Sequence, residues 1–137
     1  INKENGNQMN SGEMKVTRGP QGTLAEQVRA GGSGLGGILT PTGLGTIVEE
    51  GRQKITVNGT EYLLETALRA DLALIFGSIV DKKGNIVYEK STRNFNMLMA
   101  MAADTVVVQA NKIVEVGELD PNMVMTPGVC IDYIVQG

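Results

Sequence analysis

Asp71-Leu72-Ala73-Leu74-Ile75-Phe76 is a nearly continuous apolar run, as expected of a strand that is buried on both faces of a sheet. A second such run, Thr105-Val106-Val107-Val108, comes after residues 95–103, whose methionines and alanines predict a helix. Because a helix lies between two buried apolar strands, the sequence predicts an α/β fold in which a mixed, largely parallel sheet is flanked by helices.

Shorter strands surround these two runs. Asn58-Gly59 predicts a two-residue hairpin turn between strands at 54–57 and 62–65. We expect this hairpin to join the main sheet and to make it mixed. Further short strands are predicted at 13–17, 46–49, 86–88, 113–116 and 129–135.

A glycine-rich stretch precedes the hairpin: Gly31-Gly32-Ser33-Gly34-Leu35-Gly36-Gly37. It follows a predicted helix, because Thr23-Leu24-Ala25-Glu26 has the spacing of a capping box and two consecutive glycines are a typical helix end. Eight of the 21 residues from 31 to 51 are glycine, yet hydrophobic residues are spaced among them, which argues against a flexible linker. We therefore interpret the stretch as an ordered loop that presents backbone N–H groups to a bound group.

The composition bounds the function. The chain has 137 residues, about the size of one domain, and a net charge of −3 with mixed signs, which argues against nucleic acid as the main ligand. It has no apolar run long enough to span a membrane, and its polar opening is not an intact signal peptide. The absence of histidine and the single cysteine, Cys130, exclude a His/Cys zinc site and the Ser-His-Asp and Cys-His nucleophile systems. A single cysteine fits a reducing compartment, so we expect a cytoplasmic protein without a metal.

Gln21 lies between Pro20 and Gly22, just before the predicted helix. It is either an exposed turn residue, which the residues alone favour, or an amide donor aimed at an oxyanion or carboxylate near the helix N-terminus. Ser33 is likewise either a ligand contact or a small polar residue of a tight turn. Residues 32–37 formally match G-x-G-x-x-G, but the dinucleotide fingerprint follows a strand and this stretch follows a helix, so a Rossmann site is not expected.

The carboxylate pairs and the cysteine have structural interpretations. Glu49-Glu50 and the pair Glu61 and Glu65 could suggest acid–base chemistry, but strands and hairpins carry such charges routinely, so we interpret them as surface residues. Cys130, among apolar neighbours, is expected to be a buried and inert thiol. The residues alone therefore predict an α/β domain with a loop of backbone donors, and they reveal no reaction.

Taken together, the segments resemble the α subunit of family I (3-oxoacid type) CoA-transferases, which include acetate/acetoacetate and butyrate–acetoacetate CoA-transferases. The resemblance runs in order along nearly the whole chain, and its most specific part is the block 20–51, which opens with Pro20-Gln21-Gly22-Thr23-Leu24-Ala25-Glu26. Further matching motifs are Leu68-Arg69-Ala70-Asp71-Leu72-Ala73-Leu74, Arg93-Asn94-Phe95-Asn96, Ala102-Ala103-Asp104 and Val116-Gly117-Glu118-Leu119.

The resemblance implies the CoA-transferase/NagB-like fold and an enzyme that moves CoA between a short-chain acyl-CoA and a free carboxylate by a ping-pong mechanism. In that mechanism a glutamate attacks the thioester and forms a glutamyl-CoA intermediate. The glutamate belongs to a Ser-Glu-Asn-Gly motif of the β subunit, and this chain contains no such motif. The resemblance further implies a heterotetramer or larger assembly with that β subunit and coenzyme A as part of the acyl-CoA substrate. It implies no metal, nucleic acid or membrane.

The resemblance also implies site residues. Gln21 is expected to polarise the substrate carbonyl or to bind the carboxylate, without being the nucleophile. The acyl pocket is expected to be walled by Gly31, Gly32, Ser33, Gly34, Gly36 and Gly37. The next position is often aromatic in relatives and is Ile38 here, which leaves the acyl-chain preference open.

One part of the family pattern has no counterpart. The N-terminal Gly-Gly-Phe-x-x-Gly-x-Pro signature is missing, so we expect residues 1–137 to be the C-terminal portion of a single α-subunit domain whose sheet is incomplete at the N-terminus. Two alternatives stay open. One is a non-catalytic ligand-binding or regulatory domain of the same fold. The other is an enzyme like the sugar-phosphate isomerases, which would need acid–base carboxylates and a cationic phosphate site in one pocket.

Overall fold

The strands form two sheets in this computed structural model, which describes residues 3–137. The α-helices are α1 (Lys3–Ser11), α2 (Gln21–Gly32) and α3 (Asn96–Met101). The strands are β1 (Gly37–Thr40), β2 (Lys54–Val57), β3 (Thr60–Thr66), β4 (Ala70–Asp81), β5 (Ile86–Val87), β6 (Ala103–Val114) and β7 (Tyr133–Gln136). Short 3₁₀ turns cover Ile47–Glu49, Lys90–Arg93, Pro121–Met123 and Gly128–Cys130.

The larger sheet has four strands in the order β5-β4-β6-β7. β4 and β6 contain the two apolar runs and pair in parallel, from Ala70 opposite Ala103 to Asp81 opposite Val114. β7 also runs parallel to β6, and the short β5 pairs antiparallel to β4. Because parallel neighbours need a crossover connection, the chain passes through β5 and α3 between β4 and β6. The predicted α/β fold with a mixed, largely parallel sheet is confirmed.

The predicted hairpin is present, but it belongs to the second sheet. Asn58 and Gly59 have φ angles of 50° and 78°, the left-handed pair that a type I′ turn requires. β3 pairs antiparallel with β2 on one side and with β1 on the other, so both of its edges are occupied. The expectation that the hairpin joins the main sheet is therefore wrong, and the main sheet is mixed because of β5.

Other local predictions differ from the structure in part. Residues 46–49 form a 3₁₀ turn instead of a strand, because the Thr46 hydroxyl accepts the backbone N–H of Val48 at 3.2 Å and caps the turn. Residues 13–17 form no strand, and helix α1 before them was not predicted because none of its residues is buried and it has no apolar face. The strands predicted at 113–116 and 129–135 are the end of β6 and, from Tyr133, β7.

The core lies on one face of the main sheet. Alternate residues in the first part of β4 and along β6 point toward it, including Ile75 on β4 and Val108 on β6, which are 4% and 0% exposed. The buried residues of this core are Ala73, Ile75, Val80, Ile86, Tyr88, Ala100, Val106, Val108 and Ala110. On the opposite face Leu72, Leu74 and Tyr133 are between 52% and 68% exposed, whereas parallel sheets are normally covered on both faces. Within residues 3–137 the sheet is thus covered on one face, and the expectation that the strand at 71–76 is buried on both faces is wrong for this part of the chain.

The polar turn between β4 and β5 is held by the buried carboxylate of Asp81. One of its oxygens accepts the backbone N–H groups of Lys83 and Asn85, each at 2.9 Å, and the other accepts the side-chain amide of Asn85 at 2.8 Å. Burial raises the pKa of Asp81, but these hydrogen bonds, with one from the Gly84 backbone, outweigh it and hold the pKa below its usual value. The charged carboxylate therefore stabilises this turn.

We expect Asp81→Ala to lower the free energy of unfolding by about 1–3 kcal/mol, because the N–H groups of Lys83 and Asn85 lose their acceptor. Since the pKa is lowered in the folded state, the stabilisation is complete above the ordinary pKa of an aspartate. It is lost as the pH falls through the folded-state value. Denaturant unfolding at neutral pH and during stepwise acidification measures both effects, with the exposed Asp71→Ala as control. An equal loss in the control, or an Asp81→Ala effect that does not shrink in acid, would contradict this account.

Candidate functional site

Helix α2 begins at Gln21, directly after Pro20. Pro20 occupies the N-cap position with φ −61° and ψ 137°, a conformation that its ring favours, and it has no N–H group to satisfy. The predicted capping box is wrong: Thr23 lies inside the first turn and is only 7% exposed, while Glu26 pairs with Arg29 at 2.6 Å. The helix therefore begins without a side-chain cap.

The first turn of α2 leaves backbone donors free. The N–H of Leu24 bonds to the carbonyl oxygen of Pro20 at 3.0 Å, but the three N–H groups of residues 21–23 have no acceptor within residues 3–137. Gln21 is exposed beside them, and a Cβ placed on Gly22 would meet nothing within 4 Å, so the approach is open. With the positive end of the helix dipole, these donors can bind an oxyanion or a carboxylate.

Helix α3 runs antiparallel to strand β4. At its start, the side-chain oxygen of Asn96 accepts the backbone N–H of Phe76 at 3.2 Å. At its end, the carbonyl oxygen of Met101 accepts from the guanidinium of Arg69, next to the first residue of β4, at 3.5 Å. The start of α3 is therefore directed toward the carboxyl ends of the parallel strands.

Helix α2 lies beside α3 and points the same way. Gly32 at its end packs against Met101 at the end of α3, while Leu24 near its start lines the same groove as Phe95. In open α/β sheets, ligands bind at the carboxyl ends of the strands. From its end to its start, helix α2 runs in the direction of those carboxyl ends, but the groove that Leu24 lines is formed in part by residues between 68 and 73, at the amino end of β4.

The other end of α2 is closely packed. A Cβ on Gly31 would lie 1.9 Å from the carbonyl oxygen of Leu68, and a Cβ on Gly32 would lie 2.7 Å from the Cβ of Met101. Real side chains do not approach this closely, so only glycine fits at either position. Close packing within the chain therefore explains why both of these predicted pocket residues are glycine.

The residues after α2 form a tight turn. The N–H of Leu35 bonds to the carbonyl oxygen of Ala30 at 2.9 Å and Gly34 has a φ of 71°, which together make a Schellman-type helix ending. Ser33 and Gly36 are exposed, and a Cβ on Gly36 would meet nothing within 4 Å. The turn at residues 33–36 is therefore the exposed part of the predicted pocket wall.

Gly37 begins the edge strand β1, and a Cβ there would lie 2.6 Å from the carbonyl oxygen of Glu65. The interpretation of residues 31–37 as a single loop of backbone donors is therefore wrong. The stretch consists of a helix end, a tight turn and the start of a strand, and several of its glycines serve close packing within the chain.

The two parts of the predicted site lie at opposite ends of α2. Gln21 is the first residue of the helix and Gly32 the last. At a rise of about 1.5 Å per residue, Gln21 and Gly31 are separated by about 15 Å along the helix axis. The fold therefore does not bring Gln21 and the glycine-rich turn together, and only an extended ligand could touch both.

A cleft of about 650 Å³ lies beside the N-terminal half of α2. Residues 17–19, which lead into α2, line one side, and residues 51–53 and 64–66 line the other. Inside the cleft the carboxylate of Glu65, which is only 6% exposed, accepts a hydrogen bond from Nε of Arg52. This buried ion pair contradicts the interpretation of Glu65 as a surface residue.

A signal for the burial of Glu65 was present in the sequence. In β3, Leu63 and Glu65 are two residues apart and therefore share one face of the strand. Leu63 is fully buried, so its face of the strand turns toward the interior at this point, and a carboxylate buried there needs a partner. Glu61, on the same face near the start of the strand, has an exposed side chain 3.9 Å from Lys54, as expected of a surface residue.

The other carboxylate pair has structural contacts only. Glu49 accepts from Lys54 at 2.5 Å and from the backbone N–H of Gly45 at 2.7 Å, while Glu50 is exposed. The hydrogen bond from Lys54, with that from Gly45, lowers the pKa of Glu49, and the same bond to Glu49 raises the pKa of Lys54. The contacts of Glu49 therefore stabilise the loop between β1 and β2.

The described residues form neither a metal cluster nor a membrane-spanning helix. Among residues 3–137, no group of three or more His, Cys, Asp or Glu side chains is arranged to hold a metal ion. The helices of that part of the chain include none that is long and apolar enough to cross a membrane. Cys130 is half-buried, not fully buried as expected, and lines a cavity of about 270 Å³ together with Asp104 and Asp132.

Comparison with known proteins gives consistent matches along the whole chain. A family model described as "Coenzyme A transferase" matches residues 1–137. The chain is 56% identical over 135 residues to the acetoacetyl-CoA:acetate/butyrate CoA transferase alpha subunit of Clostridium acetobutylicum, with 98% of this chain and 62% of the relative covered. It is 56% identical over 134 residues to the acetate CoA-transferase subunit alpha of Escherichia coli K12, with 98% and 61% covered. The chain thus spans about three fifths of the length of these curated relatives.

Solved structures match the fold at low sequence identity. An acyl-CoA transferase from Escherichia coli O157:H7 superposes with a TM-score of 0.88 at 23% identity, covering 96% of this chain and 29% of that chain. Glutaconate coenzyme A-transferase from Acidaminococcus fermentans superposes with a TM-score of 0.85 at 16% identity, covering 100% of this chain and 50% of that chain. At these identities the two matches show a shared fold.

Proposed function

This chain belongs to the coenzyme A transferase family, and on that premise we propose that it is the α-subunit part of a two-subunit CoA-transferase. The proposed reaction moves CoA between a short-chain acyl-CoA and a free carboxylate, namely acetate, acetoacetate or butyrate. The observation that carries the proposal is the 56% identity to two proteins named as CoA-transferase alpha subunits.

The proposed exchange proceeds through a glutamyl-CoA intermediate on the β subunit. A glutamate carboxylate attacks the thioester carbonyl and displaces the CoA thiolate, which gives an acyl-glutamyl anhydride. The thiolate then attacks the glutamyl carbonyl and releases the first acid as its carboxylate, and the second carboxylate reverses these steps. The buried carboxylates of residues 3–137, Glu65 and Asp81, are both held by hydrogen bonds, which supports a nucleophile outside this part of the chain.

In this proposal Gln21 donates its side-chain amide to the negative oxygen that forms at the thioester carbonyl, and it is not the nucleophile. Two observations support the role: Gln21 is exposed, and it opens a helix whose first N–H groups have no acceptor within residues 3–137. Donors fixed in this way need no rearrangement when charge develops in the transition state.

We further assign substrate binding to the glycine-rich stretch, through Gly31, Gly32, Ser33, Gly34, Gly36 and Gly37. The exposed turn at 33–36 supports direct contact, while the closely packed glycines on either side hold that turn in place. The separation of about 15 Å from Gln21 is too large for a short acyl group to bridge. The turn is therefore assigned to the extended CoA arm of the acyl-CoA when Gln21 is at the reacting carbonyl.

The proposed assembly is a heterotetramer or larger complex with a β subunit in the cytoplasm, with acyl-CoA as substrate and no metal. The names of the relatives as alpha subunits support a partner chain. The chain covers 62% and 61% of those relatives, so the proposed activity is that of the whole assembled protein.

An acyl-exchange assay with acetyl-CoA and acetoacetate tests the proposal on the protein isolated from its native source with whatever co-purifies. We expect ping-pong kinetics, seen as parallel double-reciprocal lines, and loss of exchange when the partner chain is removed. Absence of exchange with several short-chain acids, in the presence of an intact β subunit, would contradict the proposal and favour a non-catalytic domain of the same fold.

A further inference from the structure

The ion pair between Arg52 and Glu65 has no part in the reaction proposed above, yet it is largely buried. The side chain of Glu65 is 7% exposed and that of Arg52 is 21% exposed. Arg52 also donates through Nη1 to the carbonyl oxygen of Val48 at 2.6 Å, so its guanidinium is held at two points. Apolar side chains of similar volume often stabilise a fold at least as well as a buried ion pair. We therefore interpret this ion pair as fixing the positions of the residues that contact it.

Gln27 connects this ion pair to helix α2. Its Nε2 donates to the carbonyl oxygen of Thr66 at 2.9 Å and to Oε2 of Glu65 at 3.5 Å. The backbone carbonyl oxygen of Gln27 accepts the backbone N–H of Leu68 at 3.0 Å. Both the side chain and the backbone of Gln27 are thereby bonded to the end of β3 and the residues that follow it.

The N-terminal half of α2 has weaker packing than the C-terminal half. The cleft of about 650 Å³ and an apolar groove of about 400 Å³ both reach this half of the helix, and Leu24 lines both while remaining 43% exposed. The C-terminal half is instead packed closely at Gly31 and Gly32. Gln27, at the middle of α2, makes the helix-to-strand polar contacts that lie nearest to the half of the helix that carries Gln21.

We infer that Gln27 and Glu65 are positioning residues for Gln21, with Arg52 holding Glu65 where Gln27 reaches it. Gln21 lies six residues before Gln27, about 9 Å along the helix axis, so a small tilt of α2 about its packed end displaces the Gln21 amide. A displacement of about 1 Å at a catalytic group can cost about 100-fold in rate. The inference rests on the oxyanion role that is proposed for Gln21.

A double-mutant cycle between Gln21→Ala and Gln27→Met tests the inference in the assembled two-subunit protein. Methionine is similar to glutamine in length and volume but has no donor. Alone, Gln27→Met is expected to lower kcat by about tenfold or more with little change in KM. In the Gln21→Ala background it is expected to change kcat by less than about twofold, because the donor that it positions is already gone. Glu61→Gln, at an exposed position on the same face of β3, is the matched control and is expected to keep the wild-type kcat.

An equal fractional loss of kcat in both backgrounds would overturn the inference, because Gln27 would then act independently of Gln21. A Gln21→Ala variant with wild-type kcat is a different result, since it removes the proposed oxyanion role itself. If Gln27→Met does not fold, Glu65→Gln takes its place in the same cycle, because it keeps the side-chain shape and an acceptor oxygen while removing the charge. Additive losses in that cycle would overturn the inference as well.

Discussion

The Gln21→Ala variant is expected to turn over acyl-CoA about 100- to 1,000-fold more slowly than the wild type, the loss typical of removing one oxyanion donor. KM for acyl-CoA is expected to change little, because the donor acts on charge that develops only in the transition state. Tm is expected to stay the same, since Gln21 is exposed and its side chain caps no helix. Steady-state kinetics of the assembled protein and thermal unfolding measure these three quantities.

Gln21→Glu is the matched variant for this experiment, because glutamate has the same shape but is not a donor when ionised. A negative charge in the first turn of a helix is stabilising, so Tm is expected to stay equal or to rise while kcat falls at least as far as in the alanine variant. Loss of turnover at an undiminished Tm would separate the chemical role of Gln21 from any role in folding. Wild-type turnover in either variant would contradict the proposed role.

Gly31→Ala is expected to be the most damaging single-methyl change in α2. The added Cβ would lie 1.9 Å from the carbonyl oxygen of Leu68, which is a backbone atom in the connection between β3 and β4. Overpacking usually costs about 1–3 kcal/mol and occasionally more. Because a backbone atom cannot swing aside as a side chain does, we expect a loss at or above the upper end of that range. Denaturant unfolding measures it, and the yield of soluble protein replaces that measurement if the variant does not fold.

Gly22→Ala is the control within the same helix. A Cβ on Gly22 would meet nothing within 4 Å, so alanine there is expected to be neutral or to stabilise the folded protein by up to about 1 kcal/mol. If Gly31→Ala were as stable as Gly22→Ala, the close approach of α2 to Leu68 would be wrong. The two variants therefore distinguish a glycine that packing requires, Gly31, from a glycine with open space around it, Gly22.

The candidate site could be predicted from the sequence only in part. The density of glycines indicated an ordered backbone that side chains would disturb, but it was interpreted as a loop of backbone donors. Only the structure shows that Gly31 is glycine because it packs against Leu68. The residues around Gln21 left a plain turn and an amide donor as alternatives, and the resemblance to CoA-transferases favoured the donor. Glu65 was assigned to the surface, although its alternation with the core residue Leu63 indicated burial.

By itself, the sequence determined the features that depend on residues close together along the chain. The two apolar runs predicted β4 and β6 because short continuous apolar runs are typical of core strands, and Asn58-Gly59 predicted the hairpin turn because both residues adopt positive φ readily. Only the tertiary structure decided which sheet the hairpin joins and which residues meet across the cleft. Those outcomes depend on pairs such as Gln27 and Thr66, which are 39 residues apart. No local pattern encodes such pairs, because their contact exists only once the elements between them have packed.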